Sequence, residues 1–158
     1  MRKRIISHES QNTVAPDAEW LDLEAIAQVE ITSEDVAFPI EGALTSADNS
    51  QPWRAAASGK QTIRLVFDRP QQLKRIWLKF VEPDVSRTQE YVLRWSSDAG
   101  QSFQTILRQQ WNFSSECSTV EVEDHQVDLD SVTVLELTIV PDISGGDAIA
   151  SLAQLRLA

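Results

Sequence analysis

Three stretches of this sequence combine an aromatic ring or an arginine with planar amides. They are Trp53-Arg54 after the polar segment Thr45 to Pro52, Arg87-Thr-Gln-Glu90, and Arg108-Gln-Gln-Trp-Asn112. A ring beside Arg, Gln and Asn suits a small polyhydroxylated molecule, because the ring covers a C–H face while the planar groups serve the hydroxyls. Trp53, Arg54, Arg87, Trp111 and Asn112 are therefore the candidate ligand-binding residues. A second reading stands beside this one: Trp53 and Trp111 are large enough to plug the open ends of a core. A separate candidate is Trp77, which alternation places outward between Arg75 and Lys79; an exposed Trp flanked by cations suits a protein contact, or stacking on a base. Arg75, Trp77 and Lys79 form the candidate interaction patch.

Catalytic chemistry has little support. His8 and His125 are the two histidines, and neither belongs to a nucleophile or metal motif. Glu123, Asp124 and His125 are better read as a charged strand end than as an acid–base cluster. Cys117 lies beside Glu116, whose charge raises a thiol pKa and so works against reactivity. No Gly-x-Ser-x-Gly and no phosphate-cradling loop occurs, and Pro141-Asp-Ile-Ser-Gly-Gly146 reads as a turn.

The chain has 158 residues with 42% hydrophobic residues, and its formal net charge is -10. A chain of this size hides roughly 70% of its unfolded surface in one core, so neither disulfides nor metals are needed to hold it. One Cys excludes an internal disulfide framework. The acidic balance makes nucleic acid an unfavourable partner. Only Ile5 and Ile6 follow the basic start before His8, too few for a secretory signal, and no stretch reaches the roughly 20 apolar residues of a membrane span. The expectation is a cytoplasmic protein without membrane contact.

Charge falls in three blocks. Residues 1–53 carry a net of -7, residues 54–108 a net of +5, and residues 109–158 a net of -8. Acidic terminal strands and basic central strands that neutralise each other account for this. A basic patch for an acidic partner is the alternative.

These side chains need a scaffold, and the periodicity supplies one of strands. Ile63, Leu65 and Phe67 alternate with Thr62, Arg64 and Val66 until Asp68-Arg-Pro70 interrupts; Ile76, Leu78 and Phe80 then alternate with Arg75, Trp77 and Lys79. Tyr91, Leu93 and Trp95 repeat the pattern, and Ser96-Ser-Asp-Ala-Gly100 has turn composition. Further runs lie at Phe103 to Trp111, Thr119 to Glu123, Val132 to Val140 and Leu152 to Leu157, with Ala27 to Thr32 as the first strand. A short helix is predicted over Asp17 to Ile26 with Asp17 as cap. The expected domains are an N-terminal arm, 1–26, and an all-β antiparallel sandwich, 27–158.

The order of these signals resembles the galactose-binding-like, discoidin-type jelly-roll family. An early strand, a polar loop ending in Trp53, the strand Gln61 to Phe67 with Asp68-Arg-Pro70, and Tyr91-x-Leu-x-x-Ser96-x-Asp98-x-Gly100-x-x-Phe103 carry the likeness over residues 27–158. In such a hairpin Tyr91 and Phe103 are expected to meet in the core, and Asp98 to be scaffold. Sugar-binding relatives place an Asp-Gly pair and a Thr in a calcium loop closed by a Glu near the chain's end. The nearest equivalents here are Glu41-Gly42, Thr45 and Gln154, and a neutral amide at the closing position weakens calcium binding, so no metal or other cofactor is expected. The resemblance implies a non-catalytic module that binds carbohydrate or another small polar ligand at the loop end. The alternative is an intracellular protein-interaction domain that uses the Trp77 face.

Overall fold

The computed structural model describes residue 2, residues 14–45 and residues 51–158. His8 and most of the segment preceding Trp53 lie outside the described residues. In chain order the elements are α1 (Leu23–Ile26), β1 (Ala27–Ile31), α2 (Glu41–Leu44), β2 (Trp53–Ser58), β3 (Gln61–Val81), β4 (Arg87–Ser96), β5 (Gln104–Phe113), β6 (Val120–Val140), β7 (Ile149–Leu152) and β8 (Gln154–Leu157).

Two strands of 21 residues, β3 and β6, build both layers of an antiparallel sandwich. The first part of β3 pairs with β1 on one side and with the last part of β6 on the other, and β6 continues to β4 and β4 to β5. Past its register shifts, between Val66 and Arg75, β3 pairs with the first part of β6 and with β8. The shifts and the exposed Asp68-Arg-Pro70 segment turn the pair through a corner rather than ending it, since bulges bend strands and increase their twist. Ser131 in β6 takes a φ of 56° beside this corner. β2 and β7 form a separate two-stranded ribbon.

Alternating apolar residues from both layers meet in one core. Ile63, Leu65 and Phe67 from one half of β3 and Leu73, Ile76, Leu78 and Phe80 from the other belong to the same buried cluster. The ring of Phe80 stacks on Tyr91 of the opposite layer at 5.3 Å between centroids. Tyr91 and Phe103 do not meet as expected. β4 and β5 pair Tyr91 with Gln109, which places Phe103 beyond the far end of the ladder, under the guanidinium groups of Arg94 (4.5 Å) and Arg64 (5.9 Å). Asp98 is scaffold: it accepts from the Ser102 hydroxyl, from Ser96 Oγ at 2.6 Å and from the Ser102 amide, bonds that lower its carboxyl to about 2.

The helix over Asp17 to Ile26 shrinks to a single turn, Leu23–Ile26, with Asp22 rather than Asp17 at its cap. The Leu21 amide donates to the Leu157 carbonyl at 2.8 Å, so the chain is committed to the outer edge of β8 before it can complete a helix.

Candidate functional site

A cavity of about 700 Å³ opens at one end of the sandwich. Residues 82–86 cross there from β3 to β4, and residues 141–148 from β6 to β7. Arg87 fastens the two crossings together. Its Nε donates to Glu82 Oε1 at 2.9 Å, and one Nη1 serves both the Pro141 carbonyl and Gln89 Oε1, while the guanidinium lies 4.9 Å from the centre of the Phe113 ring. Five donors in a rigid fork make Arg suited to this bridging. The 141–148 crossing is closed on itself: Asp142 Oδ1 accepts from the Ser144 amide and hydroxyl, and bonds from Ser144 hold its carboxyl below the usual range. Gly145 and Gly146 both have φ near +90° (89° and 88°), a conformation that any side chain strains.

The opposite wall comes from the start of β2. Arg54 exchanges backbone bonds with the 35–38 loop, donating to the Phe38 carbonyl at 3.1 Å and accepting from the Asp35 amide at 2.8 Å. That pairing sets the half-buried Phe38 ring and the exposed Arg54 side chain on the same cavity rim, with Lys79 of β3 beside them. Among the described residues, neither Arg54 nor Lys79 makes an ion pair. Asp84, Asp147, Ser151 and Gln154 add acceptors and donors. The cavity thus offers one aromatic face, two cations and several carboxylate oxygens, which is a lining for uncharged hydroxyl-bearing molecules rather than for a strong ion.

Of the sequence candidates, Arg54 lines this cavity and Arg87 braces it from beneath, 6% exposed. Trp53 does not reach it: fully buried, it donates from Nε1 to the Ser33 carbonyl at 3.1 Å and belongs to the core. Trp111 and Asn112 lie elsewhere, on β5; Asn112 is exposed and accepts from Thr88 Oγ1. Phe38, Asp84 and Asp147 escaped sequence reasoning because they come from three separate loops, and only the 141–146 turn signal pointed at one of them.

The interaction patch is not assembled. Trp77 is 2% exposed instead of outward and free. Alternation does put it on the outer face of its layer, but that face is covered. Its cross-strand neighbour Arg156 is also buried and donates to the Ala43 carbonyl of α2, and Trp20 stacks on Arg75 at 5.3 Å. Arg75 is engaged by Asp124, and Lys79 turns to the cavity. The residues equivalent to a calcium loop are split as well, Glu41 lining a recess beside α1 and Gln154 the end cavity. Among the described residues no group of three or more His, Cys, Asp or Glu is placed to hold a metal ion.

The strand end at Glu121 to His125 is folded inward. Glu121 is fully buried and its carboxyl is pushed up to about 8, by burial first and then by Glu123 beside it. Tyr91 Oη and His125 Nε2 share a hydrogen bond of 2.8 Å, and burial lowers the His125 pKa.

No protein-family model and no curated protein matches the sequence. Solved structures do match the fold. The family 32 carbohydrate-binding module of NanJ from C. perfringens, solved with galactose, superposes with a TM-score of 0.63 at 14% identity, covering 87% of this chain and 96% of that one. A second family 32 module from Clostridium perfringens, in complex with GalNAc-β-1,3-galactose, gives 0.62 at 17% identity over 88% and 99% of the two chains. The family 32 module of AlyQ, in complex with 4,5-unsaturated mannuronic acid, gives 0.61 at 19% identity over 84% and 95%. The chain therefore has the galactose-binding-like jelly-roll fold, as its sequence pattern predicts.

Proposed function

We propose that this protein is a non-catalytic carbohydrate-binding module that holds a neutral sugar in the cavity at the end of the sandwich. The observation that carries the reading is the pairing of Phe38 and Arg54 on one rim of a cavity of about 700 Å³, opposite loops braced by Arg87. That volume lies within the roughly 300 to 1,000 Å³ of small-molecule sites. Phe38 covers a C–H face of the ring, Arg54 and Lys79 donate to hydroxyl oxygens, and Asp84 and Asp147 accept from hydroxyl protons. Three modules of the same fold were solved with sugars or sugar acids, which supports the ligand class. The rival, a protein contact through Trp77, loses its central residue to the interior.

Isothermal titration against galactose, N-acetylgalactosamine and a panel of neutral disaccharides tests the proposal. Phe38→Ala and Arg54→Ala should each weaken binding about tenfold, equivalent to about 1.4 kcal/mol, with unchanged thermal stability because both side chains lie at the rim. No heat and no spectral change with any neutral sugar would remove the proposal.

A further inference from the structure

The end cavity carries apolar side chains as well as its polar rim. Trp77, Lys79 and Val81 alternate with Ile76, Leu78 and Phe80 of the core, so they share the outer face of β3. Trp77 is covered there, Lys79 stands beside Gln154, its partner at the start of β8, and Val81 lies beyond that ladder, 37% exposed in the cavity wall. The β2–β7 ribbon repeats the change. Arg54 is paired with Ser151, and Ile149, two residues away on the same face of β7, is again an apolar part of the lining. Outward residues two apart on a strand stand about 7 Å from each other, so each wall turns from polar to apolar within the reach of one ligand.

The crossing of residues 82–86 completes the apolar side with Pro83 and Val85, the latter 50% exposed. Val85 is not left there by a loose loop. The Glu82 amide donates to the Thr119 carbonyl at 2.8 Å, and the Glu82 carboxylate accepts from Arg87 Nε at 2.9 Å and from the Asp84 amide at 3.3 Å, so the crossing is set in place before any ligand arrives. Single exposed valines are ordinary on a protein surface, but Val81, Pro83, Val85 and Ile149 converge on one cavity from three walls. Hydroxyl groups pressed against them would lose their hydrogen bonds to water and gain none. The group that fits here is hydrocarbon.

We propose that the ligand of the end cavity is a glycoside with a hydrocarbon aglycone, its sugar ring at Phe38, Arg54 and Lys79 and its aglycone on Val81, Pro83, Val85 and Ile149. This rests on the sugar-binding reading of the cavity and adds the part of the ligand that lies beyond the ring.

The test is isothermal titration of the full chain with methyl and butyl β-glycosides of galactose, N-acetylgalactosamine and glucose. A butyl group has three more carbons than a methyl group, which at full burial would tighten binding about sixtyfold. On walls open to water on one side, a butyl glycoside should bind about fivefold to tenfold tighter than the methyl glycoside of the same sugar, with a more negative heat-capacity change. In the double variant Val81→Thr, Val85→Thr, which keeps the branched shape and adds only hydroxyls, that ratio should fall below about twofold. Equal affinities for methyl and butyl glycosides overturn this proposal and leave the sugar-binding reading standing. A butyl gain that survives the double substitution overturns it too, since the chain is then held elsewhere. Absence of binding by every glycoside overturns both.

Discussion

Replacing Glu121 by Gln should stabilise this protein and abolish a loss of stability that the parent suffers in alkali. Glu121 is fully buried, and its carboxyl is pushed from an ordinary 4.5 up to about 8 by burial and by Glu123 beside it. Gln89 Nε2 of β4 donates to it at 3.3 Å, Phe80 of β3 is its partner in the ladder, and the charged or titratable groups that act on it are Glu123 from its own strand and Arg87 and Tyr91 from β4. Between those two pKa values the folded state holds a proton that the unfolded state has released, so unfolding free energy must fall as pH rises. The loss begins above about 4.5 and levels off once pH passes about 8, where both states are ionised. At 1.36 kcal/mol per pKa unit, the penalty at pH 7.5 has an upper bound of about 4 kcal/mol. Relaxation, water entry at the half-exposed Glu123 and the nearby Arg87 charge reduce that to about 2 kcal/mol. Burial lowers the His125 pKa, so that group contributes stability above about 6.5 and loses it as pH falls, with the opposite slope. Measurements from pH 7 to 8.5 therefore isolate Glu121.

Urea unfolding followed by tryptophan fluorescence is the assay. The parent should lose roughly 0.5 to 1 kcal/mol between pH 7 and 8, with no change in the slope against urea. Glu121→Gln should be flat over that range and melt about 4 to 8 °C higher at pH 8, as about 2 kcal/mol does in a chain of this length. A parent midpoint that is constant from pH 7 to 8.5, or a Gln variant that keeps the parental slope, would show that Glu121 is ionised in the folded protein and refute the reasoning.

Other perturbations test other parts of the fold. Glu136, 2% exposed, accepts from Arg64 at 2.7 Å and Arg94 at 2.8 Å. Burial pushes its carboxyl up, but these bonds outweigh burial and hold it below its usual range. Its contribution is thus complete above the ordinary value of 4.5 and is lost as pH falls through the lowered one, and Glu136→Ala should cost about 2 kcal/mol at neutral pH by urea unfolding. Trp77→Ala should cost about 3 to 5 kcal/mol in thermal or urea unfolding; an unchanged midpoint would mean that the ring is on the surface after all. In Gly42→Ala a Cβ would meet the Gln51 carbonyl oxygen at 2.0 Å, so the backbone of the α2 turn must move, at about 1 to 3 kcal/mol read from the urea midpoint.

How far the sequence could be read depended on whether a feature was local. The period of two in Ile63 to Phe67 and Ile76 to Phe80 reported which side chains share a face, and both runs line the core. It could not report that Asp68-Arg-Pro70 bends a strand without ending it, because both outcomes need the same break in alternation. Nor could it see that the outer face of β3 is roofed: Trp77 does point away from the core and is buried, and its neighbours on that face, Arg75 and Arg156, are met by Trp20 and by α2, far away in the chain. Trp53-Arg-Ala-Ala-Ala-Ser58 has weak strand propensity and is a strand through its ladder with β7. Acidic residues normally lie outward, and nothing in the pattern marks Glu121 and Glu136 as exceptions, yet both are buried here beside partners from other strands. In the end cavity, Arg54 was legible beside Trp53, whereas Phe38, Asp84 and Asp147 become neighbours only when three crossings meet.

The three charge blocks connect the fold to the site. Six of the ten bases between Arg54 and Arg108 make ion pairs: Arg64 and Arg94 with Glu136, Lys74 with Asp128, Arg75 with Asp124, Arg87 with Glu82, and Arg108 with Glu90. Four of these join the basic central strands to the acidic β6, which is the mutual neutralisation expected of neighbouring strands of opposite charge. Lys60, Arg69, Arg54 and Lys79 remain unpaired among the described residues. Lys60 follows the end of β2 and Arg69 sits on the exposed corner of β3, positions where a charge keeps an edge or bend in water. Arg54 and Lys79 sit on one cavity rim instead, with their hydrogen-bonding capacity unspent. If charge balance alone explained the sequence, those two would have no reason to converge; their joint replacement by Gln should then leave sugar binding intact, whereas a binding role for the rim requires that it fail while the urea midpoint stays where it was.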